Sequence, residues 1–187
     1  MGKPSGPINA VFRFPAAQPG ETRSCDDFKY GRINECTLDY TPIALPTWGH
    51  LPQLCSDISD SSTDWSFFKA DRASAYKNLP TNPYHVHSCV ATSQDPSGGE
   101  RCGFPPPETL LFGAAAAVHR CNLFSRIVAI LANRIFGLPI ANYVGDFGLL
   151  APASLGGTGL RTFSSFFQMI GYGSRIRRLK SAAKRYF

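Results

Sequence analysis

Two carboxylates stand where chemistry is feasible: Asp71 closes a short aromatic run, and Asp146 follows Gly145 between two apolar runs. Hard divalent ions such as Mg2+ or Mn2+ prefer carboxylate oxygen. Two acids from separate strand ends suit a two-metal phosphoryl-transfer site, in which a hydroxyl is activated and a pyrophosphate departs. Taken alone the pair is a weak signal, because surface and turn carboxylates are far commoner than metal ligands. A second cluster is cationic. Arg175, Arg177, Arg178, Lys180, Lys184 and Arg185 follow one another without an acid, in a chain of formal net charge +6. Such a cluster suits phosphate contacts and salt-sensitive nucleic-acid binding, and a solvated helix face explains the composition equally well. The six cysteines show no Cys-x-x-Cys spacing and no secretory signal precedes them, so reduced thiols in an intracellular protein, of cytoplasm or nucleus, are expected. His85, His87 and Cys89 fall short of the four well-spaced ligands of a structural zinc site.

The elements that must position these residues follow from patterning. With 187 residues, 43% hydrophobic and 17% charged, the chain is long and apolar enough for one folded domain, while Gly 17 and Pro 15 imply many turns. Residues 1–22 read as a loose leader around one short strand at 10–14, and residues 23–187 as the domain proper with its basic tail. A short helix is expected near 51–56. The run 65–70 reads as a strand ending at Asp71, and 73–79 as a helical turn stopped by Pro80. Residues 93–107 form a Pro/Gly-rich loop. A long helix follows Leu110 and Leu111, with apolar positions 117, 121, 124, 128, 131 and 135 at helical spacing and Gly137 as its stop. His119, Arg120, Arg126 and Arg134 interrupt it, and no membrane span is expected. Residues 140–144 and 147–151 read as two strands joined by a Gly145-Asp146 turn, and 162–172 as a helix through Phe163, Phe166, Phe167 and Ile170. This order predicts an α+β fold with helices on one face of an antiparallel sheet.

Five segments, in order, resemble those of the reverse transcriptase family, particularly its retroelement branches. Arg23-Ser24-Cys25-Asp26-Asp27-Phe28 resembles a fingers segment. Phe68-Lys69-Ala70-Asp71, with Tyr76 five residues on, resembles the first palm motif. Leu111-Phe112-Gly113 and the alanines after it look like the Phe-Gly-x-x-x-Ala segment, and Tyr143-Val144-Gly145-Asp146 looks like the Tyr-x-Asp-Asp hairpin. Phe167-Gln168-Met169-Ile170-Gly171-Tyr172 with Lys180 is similar to the closing part of the palm. The resemblance covers roughly residues 10–184. It implies a palm-like sheet with partial fingers, and an RNA-directed DNA polymerase using Mg2+ or Mn2+, deoxynucleoside triphosphates and an RNA or DNA template-primer. It further implies that Asp71 and Asp146 ligate metal, that Arg23 clamps the triphosphate, and that Tyr76 lies under the sugar. Phe112 and Gly113 would let backbone approach the nucleotide, and Lys180 would neutralise its phosphates, with a solvated tail lysine as the alternative.

The pattern breaks at Gly145, which occupies the first aspartate of the hairpin and has no side-chain oxygen to offer. The Gly-Asp-Asp register of viral RNA-dependent RNA polymerases offers another alignment, but Tyr76 and Phe112-Gly113 favour the reverse transcriptase register. The resemblance also implies a thumb that does not follow Phe187, so a fragment or decayed copy is expected. The alternatives are a catalytically inactive palm that binds nucleic acid, and an unrelated domain with Asp71 far from Asp146.

Overall fold

The computed structural model describes residues 10–36, 43–45, 53, 64–72, 74–84, 90–93, 102–103, 108–155 and 157–172. The short helix expected near 51–56, the His85/His87/Cys89 group and the basic residues Arg175, Arg177, Arg178, Lys180, Lys184 and Arg185 fall wholly or almost wholly outside them. The fold is α+β, with two compact units.

The first unit comprises 1–42 and 76–120. Strands β1 (Ala10–Gln18) and β2 (Glu21–Asp27) form an antiparallel hairpin, so the strand beginning at Ala10 runs past the expected end at Phe14. Pro19 presets the turn and Gly20 supplies its positive φ of 84°. Strand β4 (Val90–Ser93) pairs parallel with β1, and the two-residue β5 (Cys102–Gly103), inside the expected loop, pairs with β4. Opposite residues Arg13 and Asp26 make a two-pronged ion pair at 2.7 and 3.2 Å, and Asp26 is buried. The carboxylate of Asp27 accepts from the backbone N–H groups of Lys29 and Tyr30, closing the turn after β2, and Phe28 is buried.

The long helix α1 (Ala115–Phe136) begins in this unit, and its cap comes from a distant residue. Asn34 accepts a hydrogen bond from the Ala115 backbone N–H at 2.8 Å and donates one to the Gly113 carbonyl at 3.1 Å. Gly113 has φ 109°, and a Cβ there would overlap the Asp26 carbonyl oxygen. The helix stops at Gly137, as expected, with φ 64° and a hydrogen bond from its N–H to the Asn133 carbonyl.

The second unit comprises 43–75 and 121–187. Strands β3 (Trp65–Asp71), β6 (Ile140–Tyr143) and β7 (Asp146–Pro152) form an antiparallel sheet in the order β3-β7-β6. Alternation puts Phe68, Ala70, Phe147 and Leu149 on one face. There they meet Val128, Ala129 and Ala132 of α1 and Phe163, Phe166 and Phe167 of α2 (Thr158–Met169). The rings of Phe147, Phe163 and Phe167 pack mutually at 4.9 to 5.4 Å between centroids. Helix α2 starts and ends earlier than the expected 162–172. A C-terminal motif stops it: Gly171 takes φ 81°, its N–H reaches the Gln168 carbonyl, and the Tyr172 N–H reaches that of Phe167.

The apolar stripe expected on α1 needs correction in its last turns. Ala117, Cys121 and Val128 are buried, but Leu131 and Ile135 are exposed. The small residues Ser125, Ala129 and Ala132 take the buried side instead, because they let the helix approach the aromatic core closely. Asn122 of α1 accepts a buried hydrogen bond from Asn142 of β6 at 3.1 Å, which ties helix to strand at one register.

Asn34→Ala removes the α1 cap and is expected to cost about 1 kcal/mol, and Gly113→Ala at least about 2 kcal/mol. Urea unfolding measures both; an Asn34→Ala protein as stable as the parent would show that the distant cap contributes nothing.

Candidate active-site carboxylates

Asp71 and Asp146 are direct partners at the end of the β3–β7 ladder. Antiparallel partners have Cα atoms about 4.5 to 5.5 Å apart, so the two carboxyl groups share one small region, within reach of ions about 3.5 to 4 Å apart. Both acids are half-buried, on the face of the sheet opposite the aromatic core. On β6, the partner of Asp146 is Tyr143, which is half-exposed, so Asp71, Asp146 and Tyr143 form a row across the three strands.

The hairpin turn lies one residue earlier than expected. Val144 and Gly145 are its central pair, and Asp146 is the first residue of β7, not a turn residue. The positive φ falls on Val144, at 54°, and not on Gly145, so a β-branched residue takes the strained position. The position of the turn follows from strand register, since Asp146 pairs with both Asp71 and Tyr143. A Cβ at position 145 would sit 3.0 Å from the Ala75 Cβ, and the Gly145 carbonyl accepts a 3.3 Å hydrogen bond from the Arg72 N–H, so the glycine is used for its small size.

Lys69 and Arg72 are neighbours of the candidate carboxylates that the sequence did not single out. The Lys69 ammonium lies 2.7 Å from an Asp146 carboxylate oxygen. Arg72 is buried; its guanidinium donates to the Ala75 carbonyl at 2.9 Å and to Cys121 Sγ at 2.8 Å, and stacks 5.0 Å from the Phe124 ring centre. Burial pushes the Cys121 thiol above its ordinary range despite the opposing pull of Arg72. Arg72 thereby braces the segment that leads from Asp71 to Ala75. A basic residue two positions before Asp71, and another directly after it, were the only signals available for them.

Of the remaining candidates, Arg23, Tyr76, Phe112 and Gly113 belong to the first unit, and Lys180 and the basic cluster lie outside the described residues. Arg23 is exposed on β2. Tyr76 sits in a hydrogen-bonded turn over 74–78, not the helical turn expected, because Ser74 takes φ 53° and breaks the helical path. Its ring meets the exposed Phe112 edge-on at 5.5 Å. The absence of a side chain at Gly113 serves the Asp26 carbonyl. Among the described residues no cluster of three or more His, Cys, Asp or Glu side chains is suited to a metal. The donor set at the ladder end is thus two carboxylates, which fits a hydrated hard cation that keeps several of its waters. An open groove of about 390 Å3 lined by Phe136, Phe166 and Met169 belongs to the helical side. No protein-family model and no curated protein matches the chain.

Val144→Gly is expected to raise stability by up to about 1 kcal/mol by relieving the strained turn, and Gly145→Ala to lower it by about 1 kcal/mol through the Ala75 contact. Thermal unfolding of the two variants checks both signs, and recovery in Gly145→Ala with Ala75→Gly identifies the contact.

Proposed function

We propose that the chain is the fingers and palm part of a retroelement-type reverse transcriptase, an RNA-directed DNA polymerase whose turnover is limited by Gly145. The observation that carries the reading is the pairing of Asp71 with Asp146. Two acids from distant segments, each inside a palm-like motif, are direct partners on the face of a sheet whose other face is packed by helices. In this reading Asp71 and Asp146 supply the oxygen ligands for Mg2+ or Mn2+. When bound, such ions favour deprotonation of the primer hydroxyl and offset charge on the transferring phosphoryl group and the leaving pyrophosphate.

The other residues bind and orient. The roles that the resemblance implies for the first unit are triphosphate binding by the planar guanidinium of Arg23, sugar packing by Tyr76, and a backbone surface for the nucleotide at Phe112-Gly113. Lys180 and the cluster Arg175, Arg177, Arg178, Lys184 and Arg185 contact phosphates of the nucleotide or of an RNA or DNA template-primer. A second reading, a palm that binds nucleic acid without chemistry, is favoured by one observation: a Cβ at position 145 would meet the Ala75 Cβ at 3.0 Å, so a carboxylate side chain there would have to displace its neighbour.

Primer extension on an RNA template with Mg2+ or Mn2+ separates the readings. Gly145→Asp combined with Ala75→Gly, which makes room for the new side chain, is expected to raise extension by about a hundredfold or more over the parent. Adding Asp71→Ala to that double variant is expected to abolish it. Folded variants that retain primer-template binding but never extend would overturn the polymerase reading in favour of the binding one.

A further inference from the structure

A cation of the chain itself pairs with one of the candidate carboxylates, Asp146. Lys69 and Asp71 are two residues apart on β3 and so share a face, and the partner of Lys69 on β7 is Gly148. With no side chain opposite, the lysine stem can lean along the ladder toward its diagonal neighbour Asp146, a reach well within its length. It ends 2.7 Å from that carboxylate, with Lys69 and Asp146 about one-third exposed, at 37% and 31%.

We propose that Lys69 is a built-in counter-cation that competes with a divalent metal for Asp146, so that metal affinity is set by how readily its ammonium swings away. This rests on reading the carboxylate pair as a cation site. The charge argument is direct. A carboxylate oxygen that ligates a doubly charged ion while still receiving the ammonium holds three positive charges within a few ångströms, and their repulsion opposes double occupancy. Lys69 also cancels one of the two negative charges, a larger share here than it would be with a carboxylate at position 145. The exposure of both partners makes the swing feasible, because an exposed ion pair is weak and its lysine can exchange Asp146 for water.

Direct Mn2+ binding, followed by electron paramagnetic resonance with no nucleotide or primer present, tests the competition. Lys69→Gln and Lys69→Met are each expected to tighten Mn2+ binding by about tenfold relative to the parent. Lys69→Arg should leave it near the parent value, and adding Asp146→Asn to Lys69→Gln should remove the gain. Unchanged or weaker affinity in both neutral variants overturns the proposal, as does a gain that survives Asp146→Asn. The two readings fail separately. Tightened binding without primer extension in any variant removes the polymerase and keeps the competition, whereas extension with unchanged Mn2+ affinity removes the competition alone. No Mn2+ binding by any variant removes the cation site itself and the competition with it.

Discussion

Two negative charges are held face to face at the end of the β3–β7 ladder, and the rest of the second unit explains how that is sustained. Like charges directly opposite cost roughly 0.2 to 1 kcal/mol in a sheet. The register that imposes this also pairs Ala70 with Phe147 and Phe68 with Leu149, whose side chains meet the aromatic layer of α2. Burying a ring such as Phe147 contributes about 1.5 to 3 kcal/mol, so the core outweighs the repulsion several times over. Strand alternation does the rest: whatever register buries Phe147 must send Asp146 to the other face. Lys69 then reduces the cost of that placement from the same face.

The hairpin shows how a residue without a side chain is packed into its surroundings. Gly145 is close-packed against Ala75 and fixed by the Arg72 N–H, while Val144 carries a backbone conformation that a β-branched residue rarely adopts. Strain of this kind persists only where neighbouring structure enforces it. Here the neighbours are the segment after Asp71, itself braced by the buried Arg72 between Ala75 and Cys121. The acid at the end of β3 and the turn before the acid of β7 are thus one mechanical unit.

In the first unit, residues that invite a ligand-binding reading also have internal duties. Asp26 is neutralised by Arg13, Asp27 closes a turn, Phe28 is core, and Gly113 yields its space to a carbonyl oxygen. These contacts account for the residue types in two of the five motif-like segments without any nucleotide. Arg23 and Phe112 are exposed, and the Phe112 ring meets that of Tyr76.

Local patterning alone determined a good deal. The aromatic run ending at Asp71 had to be a strand, and the helical repeat between Ala115 and Gly137 a helix. Paired apolar runs around Gly145 had to fold back as a hairpin, because side-chain period and glycine conformational freedom act within a few residues. Tertiary structure decided what depends on distant partners. It moved the turn from Gly145-Asp146 to Val144-Gly145, because the register that buries Phe147 and Leu149 makes Asp146 a strand residue paired with Asp71 and Tyr143. It gave the α1 cap to Asn34, turned Leu131 and Ile135 outward in favour of small alanines, and placed Lys69 on Asp146. None of these could be read from spacing, since each is a contact between segments whose proximity is set by burial of the core and not by any local preference.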